Sequence, residues 1–304
     1  MTQPTPSNFA RKLGKEFVVT VEVHPPRGFD ASRTFQKLKE LLATTHIDAF
    51  NATDSPLAQS RMSAVAMATM IQRDLGTEAL MHVATSFRNL PALVGDLLGA
   101  HALGVRNVLV FKGDSPQTGD FPSSTSVSDV TSSGLVRLIS NANTGQELDG
   151  VALDHPTSFT SGVIFSPEKA HWGQERASLD RKVSAGADFI VTQAVFDPES
   201  IERARNLLGG FPLPVVMGVL PLRSARHANF LESNVPGFVI PKYAHEAMRS
   251  AAPDDEISTG VRLARELIDS VYSNVCGVYL IPAFGRYQTV TDVLSGLPEW
   301  SPTQ

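Results

Sequence analysis

A closed barrel of eight parallel β-strands, each followed by a helix, is the fold this sequence predicts. Three observations carry it. Eight short β-prone runs alternate with helix-period segments along the 304 residues, most at the roughly 30-residue spacing of a strand plus its crossover helix. Eight such units fit into the roughly 280 central residues, the usual size of a (βα)8 TIM barrel. The runner-up, an open doubly wound sheet, lacks its marker, because no G-x-G-x-x-G follows an early strand. No internal repeat, linker or low-complexity stretch divides the chain. One domain is therefore expected over residues 15–296, with a polar arm at 1–14 and a polar tail at 297–304.

The elements follow in order. Residues 17–23 form a Val-rich strand that stops at Pro25-Pro26 and carries one carboxylate, Glu22. Asp30 is read as the cap of a helix with Phe35, Leu38, Leu41 and Leu42 at helical spacing. A second strand, 47–52, runs into Thr53-Asp54. A helix over 60–75 places Met62, Val65, Ala66, Thr69 and Met70 on one face and ends at Gly76. The third strand, 79–84, contains His82. Leu90, Leu93, Val94, Leu97 and Leu98 give the clearest helix, with Asn89 as its cap. The fourth strand, 107–111, leads into Lys112-Gly113-Asp114. The Ser-, Thr-, Gly- and Pro-rich stretch 115–128 is long enough for a binding loop.

A helix over 130–143, a strand over 158–165 and a helix over 167–185 come next. The sixth strand is 189–193, and Asp197 caps the helix behind it. The seventh strand is 215–220, followed by a helix over 223–232, an insertion at 237–252 and a helix over 257–272. The eighth strand is 277–281.

Composition narrows the function. The chain is 42% hydrophobic and 19% charged, ordinary for a globular protein, and its formal charge is −5. With no basic run, nucleic acid is not the expected partner. Cys276 is the single cysteine, which excludes internal disulfides and multi-cysteine metal sites. The histidines lack zinc-site spacing, so no metal is expected. No apolar run approaches the ~20 residues of a membrane span, and the N-terminus has no apolar signal core. A cytoplasmic protein without membrane partners is the expectation.

In such a barrel the strand C-termini line one mouth, where catalytic residues gather. That brings together Glu22, His24, Thr53, His82, Asp114, Gln193 and Arg286. A carboxylate in an apolar strand is expensive to bury without a partner or a job, so Glu22 is either a structural ion-pair member or an acid. Asp114 in Lys-Gly-Asp-Ser-Pro also fits an Asx turn. His82 fits a hydrogen-bonded core histidine, and Gln193 fits a buried amide tied to backbone. No G-x-S-x-G and no Walker A loop is present. Two carboxylates, an amide and cations suit a polar heterocycle and acid-assisted chemistry, and by themselves name no reaction.

Four stretches carry more: V-E-V-H-P-P-R at 21–27, F-K-G-D at 111–114, R-K-V-S-A-G-A-D-F-I-V-T-Q at 181–193 and M-G-V-L-P at 217–221. In order and spacing they resemble the methylenetetrahydrofolate reductase family, over most of residues 15–290. The resemblance implies a (βα)8 barrel that reduces 5,10-methylenetetrahydrofolate to 5-methyltetrahydrofolate with a nicotinamide as electron source. It implies Glu22 as the general acid toward N10, which opens the five-membered ring to the 5-iminium cation that accepts hydride. It implies Asp114 as the aspartate facing the pterin, Gln193 as the folate-contacting glutamine, and Thr53 and His82 near flavin and pterin. Lys112 and Gly113 stand at a flavin-side position, Lys182 is kept in the phosphate region, and Arg286 aligns with a C-terminal arginine.

The departures from the family cluster on the flavin side. Lys112 replaces an arginine, Gly162 and Ser166 replace a tyrosine and a histidine, and Glu175 replaces an aspartate. Ala225 stands where an aromatic residue stacks on NADH. The resulting expectation is hydride transfer directly from NADH or NADPH, with FAD absent. An FAD-dependent reductase, a deazaflavin-dependent reductase of a related pterin and a folate-binding barrel without turnover remain as alternatives.

Overall fold

The computed structural model describes residues 6–146, 150, 152–168, 171–235 and 237–297. Eight strands, β1 (Val18–Val23), β2 (Ala49–Ala52), β3 (Glu78–Ala84), β4 (Asn107–Phe111), β5 (Thr160–Phe165), β6 (Phe189–Ala194), β7 (Val215–Val219) and β8 (Gly277–Leu280), pair in sequence order, all parallel. β8 returns to β1, closing the barrel. The helices are α1 (Asn8–Lys12), α2 (Ser32–Leu42), α3 (Ala64–Leu75), α4 (Leu90–Ala102), α5 (Ser132–Asn143), α6 (Trp172–Ser184), α7 (Pro198–Leu208), α8 (Ala225–Asn234), α9 (Lys242–Ser250), α10 (Glu256–Val271) and α11 (Gln288–Leu294). The expected (βα)8 barrel is the observed fold.

Strand alternation divides the apolar residues between two cores. Val21, Val23, Phe50, Met81, Val83, Val108 and Val110 point outward and pack under the helices. Val18, Leu80, Leu109, Phe189, Val191 and Val216 point inward and fill the lumen. The same parity sends Thr20 and Glu22 inward. α1 closes the bottom of the barrel. Its Phe9 is buried and meets the Phe189 ring edge-on at 5.4 Å. Glu78 accepts from the N–H groups of Asn8 and Phe9, and Ser7 Oγ donates to Asn107 Oδ1 at 2.6 Å.

Local signals explain most boundaries. Asn89 Oδ1 accepts from Ala92 N, and the side chain of Asp197 accepts from Glu199 N, so both anticipated caps are present. At α2 the cap position is Ala31, and Asp30 instead accepts from Ser32 N. α3 starts at Ala64, later than expected. Ser63 Oγ caps it, and the segment before it turns tightly with positive φ at Ser55, Leu57 and Ala58, which no α-helix tolerates. α6 likewise starts only at Trp172, because Glu168 is drawn aside to accept from Ser200 Oγ and Val239 N.

The insertion 237–252 contains α9, which buries Ala244 and Met248 with Phe196, Leu220 and Leu231. The segment is short and mostly polar, so it reads as an insertion although its few apolar residues lie on one helical face. α11, also unexpected, buries Val290 and Val293. The tail 299–304 lies outside the described residues. Among the described residues no helix is long and apolar enough to cross a membrane.

Candidate active site

Inward parity near the strand C-termini assembles the site. On β1 it selects Glu22, which lies beside Asn51 of β2 in register. On β3 it selects His82, and on β8 Tyr279. The Glu22 side chain is only 14% exposed. The Tyr279 hydroxyl donates to Glu22 Oε2. His24 Nε2 lies 3.3 Å from Glu22 Oε1, and His24 Nδ1 is 2.9 Å from Thr53 Oγ1. Glu22, His24 and Thr53 therefore come together as the sequence suggested, with Tyr279 added.

Charge and burial fix the protonation of the neighbours. Burial raises the Tyr279 phenol well above its ordinary range, and the Glu22 carboxylate adds to this. Tyr287 is buried and pushed up by the same two causes. Both phenols thus stay protonated in working conditions, and Tyr279 remains a donor. Burial, with a smaller contribution from His24, pushes His82 down to about 3. His82 is neutral, sits 3.3 Å from Asn51 Oδ1, and stands edge-on to Phe111 and Tyr279. The hydrogen-bonded core histidine is what the structure finds. Asn51 is fully buried, and its Nδ2 has no partner among the described residues. A buried donor without a partner is unfavourable, so it is available to an incoming acceptor.

The other expected residues are spread around the rim. Asp114 is exposed, and its Oδ2 accepts from Leu57 N at 2.7 Å, tying the β4 loop to the strained turn after β2. Asp120 ties the same loops, accepting from Arg27 at 3.2 Å and from Ser60 N at 2.9 Å. Gly113 holds φ at +90°, and a Cβ there would fall 2.6 Å from Ser86 Oγ, so only glycine fits. Lys112 is exposed, and its carbonyl accepts from Ser86 N.

Gln193 lies across the mouth from Glu22 and is exposed, not the buried amide that was one expectation. The β6–β7 register shifts between Val191 and Ala194, a bulge that re-aims side chains. Gly218 permits it, since a Cβ there would meet Thr192 O at 2.6 Å. Arg286 is exposed after β8 and shares a shallow depression with Leu222, Arg223 and Thr289, apart from Glu22. The Arg223 guanidinium stands 4.6 Å from the Phe284 ring.

Two of the positions matched to flavin contacts are engaged within the protein, while Lys112 is exposed. Glu175 is buried and accepts from Ser166 N at 3.0 Å, and Lys182 Nζ donates to Ile164 O at 2.7 Å. Ala225 opens α8. No group of three or more metal-capable side chains occurs among the described residues.

Sequence reasoning missed Tyr279, Tyr287 and Asn51. Counting every second residue along the second and eighth strands finds Asn51 and Tyr279. Tyr287 follows β8 in irregular chain and leaves no periodic signal. Chemically, the arrangement is a shielded carboxyl with a permanent phenolic donor on one oxygen and a half-exposed imidazole by the other. It can hold a proton and deliver it into the mouth.

Comparison with known proteins agrees with the barrel fold. Among solved structures the chain is similar to a protein from Clostridium thermocellum described as binding two copies of 5-methyl-5,6,7,8-tetrahydrofolic acid. The TM-score is 0.61 at 13% identity, covering 91% of this chain and 93% of that one. A 2,3-dimethylmalate lyase matches at TM-score 0.52 and 14% identity, covering 94% and 84% of the two chains. Both likenesses are of fold. Among curated proteins, methylenetetrahydrofolate reductase 2 of Schizosaccharomyces pombe is 24% identical over 69% of this chain and 34% of its own length. The 5,10-methylenetetrahydrofolate reductase of Pectobacterium carotovorum is 25% identical over 67% of this chain and 64% of its own. The chain thus spans about a third of the fission-yeast protein and under two thirds of the bacterial one. The family model for methylenetetrahydrofolate reductase matches residues 8–294, nearly the whole chain. With that match, the chain belongs to the methylenetetrahydrofolate reductase family.

Proposed function

We propose that this protein reduces 5,10-methylenetetrahydrofolate to 5-methyltetrahydrofolate, taking hydride directly from NADH or NADPH. The observation that carries this reading is the Glu22 carboxyl, held at the lumen mouth between Tyr279 and His24. Glu22 gives a proton to N10, the N10–C11 bond opens, and the 5-iminium cation forms. Hydride then adds to the methylene carbon, leaving a methyl group on N5 and an oxidised nicotinamide. One proton and one hydride are consumed per turnover.

The remaining residues have defined tasks in this reading. Asn51 Nδ2 and Gln193 offer donors to the pterin ring or its amide. Asp114 faces the developing cation with the oxygen that Leu57 N leaves free. Flavin is dispensable, because an iminium ion accepts hydride from a dihydronicotinamide held face to face with it. The inward engagement of Glu175 and Lys182 supports that version over an FAD-dependent one.

The test is an assay of NAD(P)H oxidation with methylenetetrahydrofolate, using purified protein and no added flavin. Deuterium from [4-2H]-labelled donor should arrive in the product methyl group without dilution by solvent protons. A stoichiometric absorbance near 450 nm, or label washed out into water, rejects direct transfer. Folate binding without any turnover rejects the reductase in favour of a binding barrel.

A further inference from the structure

We propose that His24 is the proton relay that recharges Glu22 from solvent, with Thr53 fixing its orientation. This rests on the reductase reading above and goes beyond it. Each turnover removes a proton from Glu22, and the overall reaction draws that proton from water. Glu22 itself is poorly placed to fetch it, with 14% of its side chain exposed. Tyr279, on its other oxygen, is fully enclosed in the lumen core. His24 is different: 44% of its side chain is exposed, and its Nε2 is 3.3 Å from Glu22 Oε1.

The hydrogen bonds fix the tautomer. Thr53 Oγ1 donates its single proton to Val23 O at 3.4 Å. The same oxygen therefore accepts from His24 Nδ1–H at 2.9 Å. Nε2 is then the nitrogen that gains and loses the mobile proton, and it is the one facing Glu22. In the recharging step the Nε2–H bond breaks, an Oε1–H bond forms, and neutral imidazole remains. Water or buffer acid returns a proton to Nε2, so no charge accumulates. The titratable groups nearest the pair do not compete. His82 of β3 is held neutral, Tyr279 and Tyr287 are held protonated, and Arg61 is committed to Pro25 O at 3.0 Å.

Two measurements test this. In the intact protein, 15N NMR of His24 should show the fixed proton on Nδ1. Glu22→Gln should move the His24 Nε2 resonance, because the carboxylate partner 3.3 Å away is gone. This readout does not depend on turnover. A His24 Nε2 resonance indifferent to Glu22→Gln overturns the relay even if the reductase reading stands. In the assay, His24→Gln should lower kcat by about tenfold at pH 8, a fraction of what general-acid catalysis commonly supplies, with KM little changed. His24→Ala should regain rate with added imidazole, while Glu22→Gln should not. A His24→Gln protein with wild-type kcat and pH profile also overturns the relay. A wild-type protein that never oxidises NAD(P)H but shows the Nε2 response to Glu22→Gln rejects the reductase reading and leaves the hydrogen-bonded pair established.

Discussion

The two sides of the barrel mouth are built on opposite plans. On the β8–β1–β2 side, Tyr279, Glu22, His24 and Thr53 form a continuous chain of polar contacts on buried or half-buried side chains. On the β5–β6–β7 side, Gly162 and Gly218 present no side chain to the lumen, and Gln193 stands exposed at a bulge. The first side is organised before any ligand arrives, as proton chemistry requires. The second is open only in lacking side chains at its glycines, whose space the Phe189 ring and the Thr192 carbonyl fill. The acid lies on β1, while Glu175 and Lys182 lie on α6.

Several substitutions break or sharpen that contrast. The largest effect is expected at Glu22. Glu22→Gln keeps the shape and removes the proton, and should lower kcat by ~10²–10⁴, the usual yield of general-acid catalysis, with the melting temperature nearly unchanged. Gly218→Ala attacks the open side through stability. Its methyl group would press on the Thr192 carbonyl at 2.6 Å, and overpacking of this kind costs about 1–3 kcal/mol, readable as a lower denaturation midpoint. Tyr279→Phe removes one hydrogen bond to a carboxylate, commonly worth about 1.5–3 kcal/mol. Because the general acid works in its protonated form, the alkaline limb of the kcat profile should move to higher pH as the carboxylate form loses a donor. Gln193→Ala should raise KM for the folate several-fold and leave stability within about 0.5 kcal/mol, as for exposed sites.

A pH experiment probes the organised side alone. His82 ordinarily titrates near 6.5 and is pushed down to about 3 in the fold. Between those values the unfolded chain binds a proton that the native protein does not. The His82 contribution to stability therefore falls as pH drops from about 6.5 toward 3, by about 1.4 kcal/mol per unit of pH, while Glu168, pushed up to about 7 by burial, contributes in the opposite sense below that pH. His82→Gln should flatten this slope in a series of thermal melts, and an unchanged slope would show that His82 is not held neutral.

Much of this contrast was legible in the sequence, unevenly. Glu22 stood out because a lone carboxylate in a Val-rich strand needs a reason. β4 and the caps at Asn89 and Asp197 were legible because their signals are local. Tyr279 was not singled out, since a tyrosine among apolar strand residues looks like core until parity is counted from Glu22. The attachment of Asp114 depends on Leu57 N, 57 residues away in sequence, and no periodicity encodes such a meeting. The exposure of Gln193 depends on a bulge that Gly218 of the next strand permits. α9 was hidden because a short, mostly polar segment between two helices reads as an insertion.

The plug at the bottom of the barrel has a directional consequence. With α1 seated below Phe189 and the lumen filled by side chains, Glu22 is approached from the mouth alone. In the proposed reaction both reactants come and go by that one face, so each stands in the path of the other.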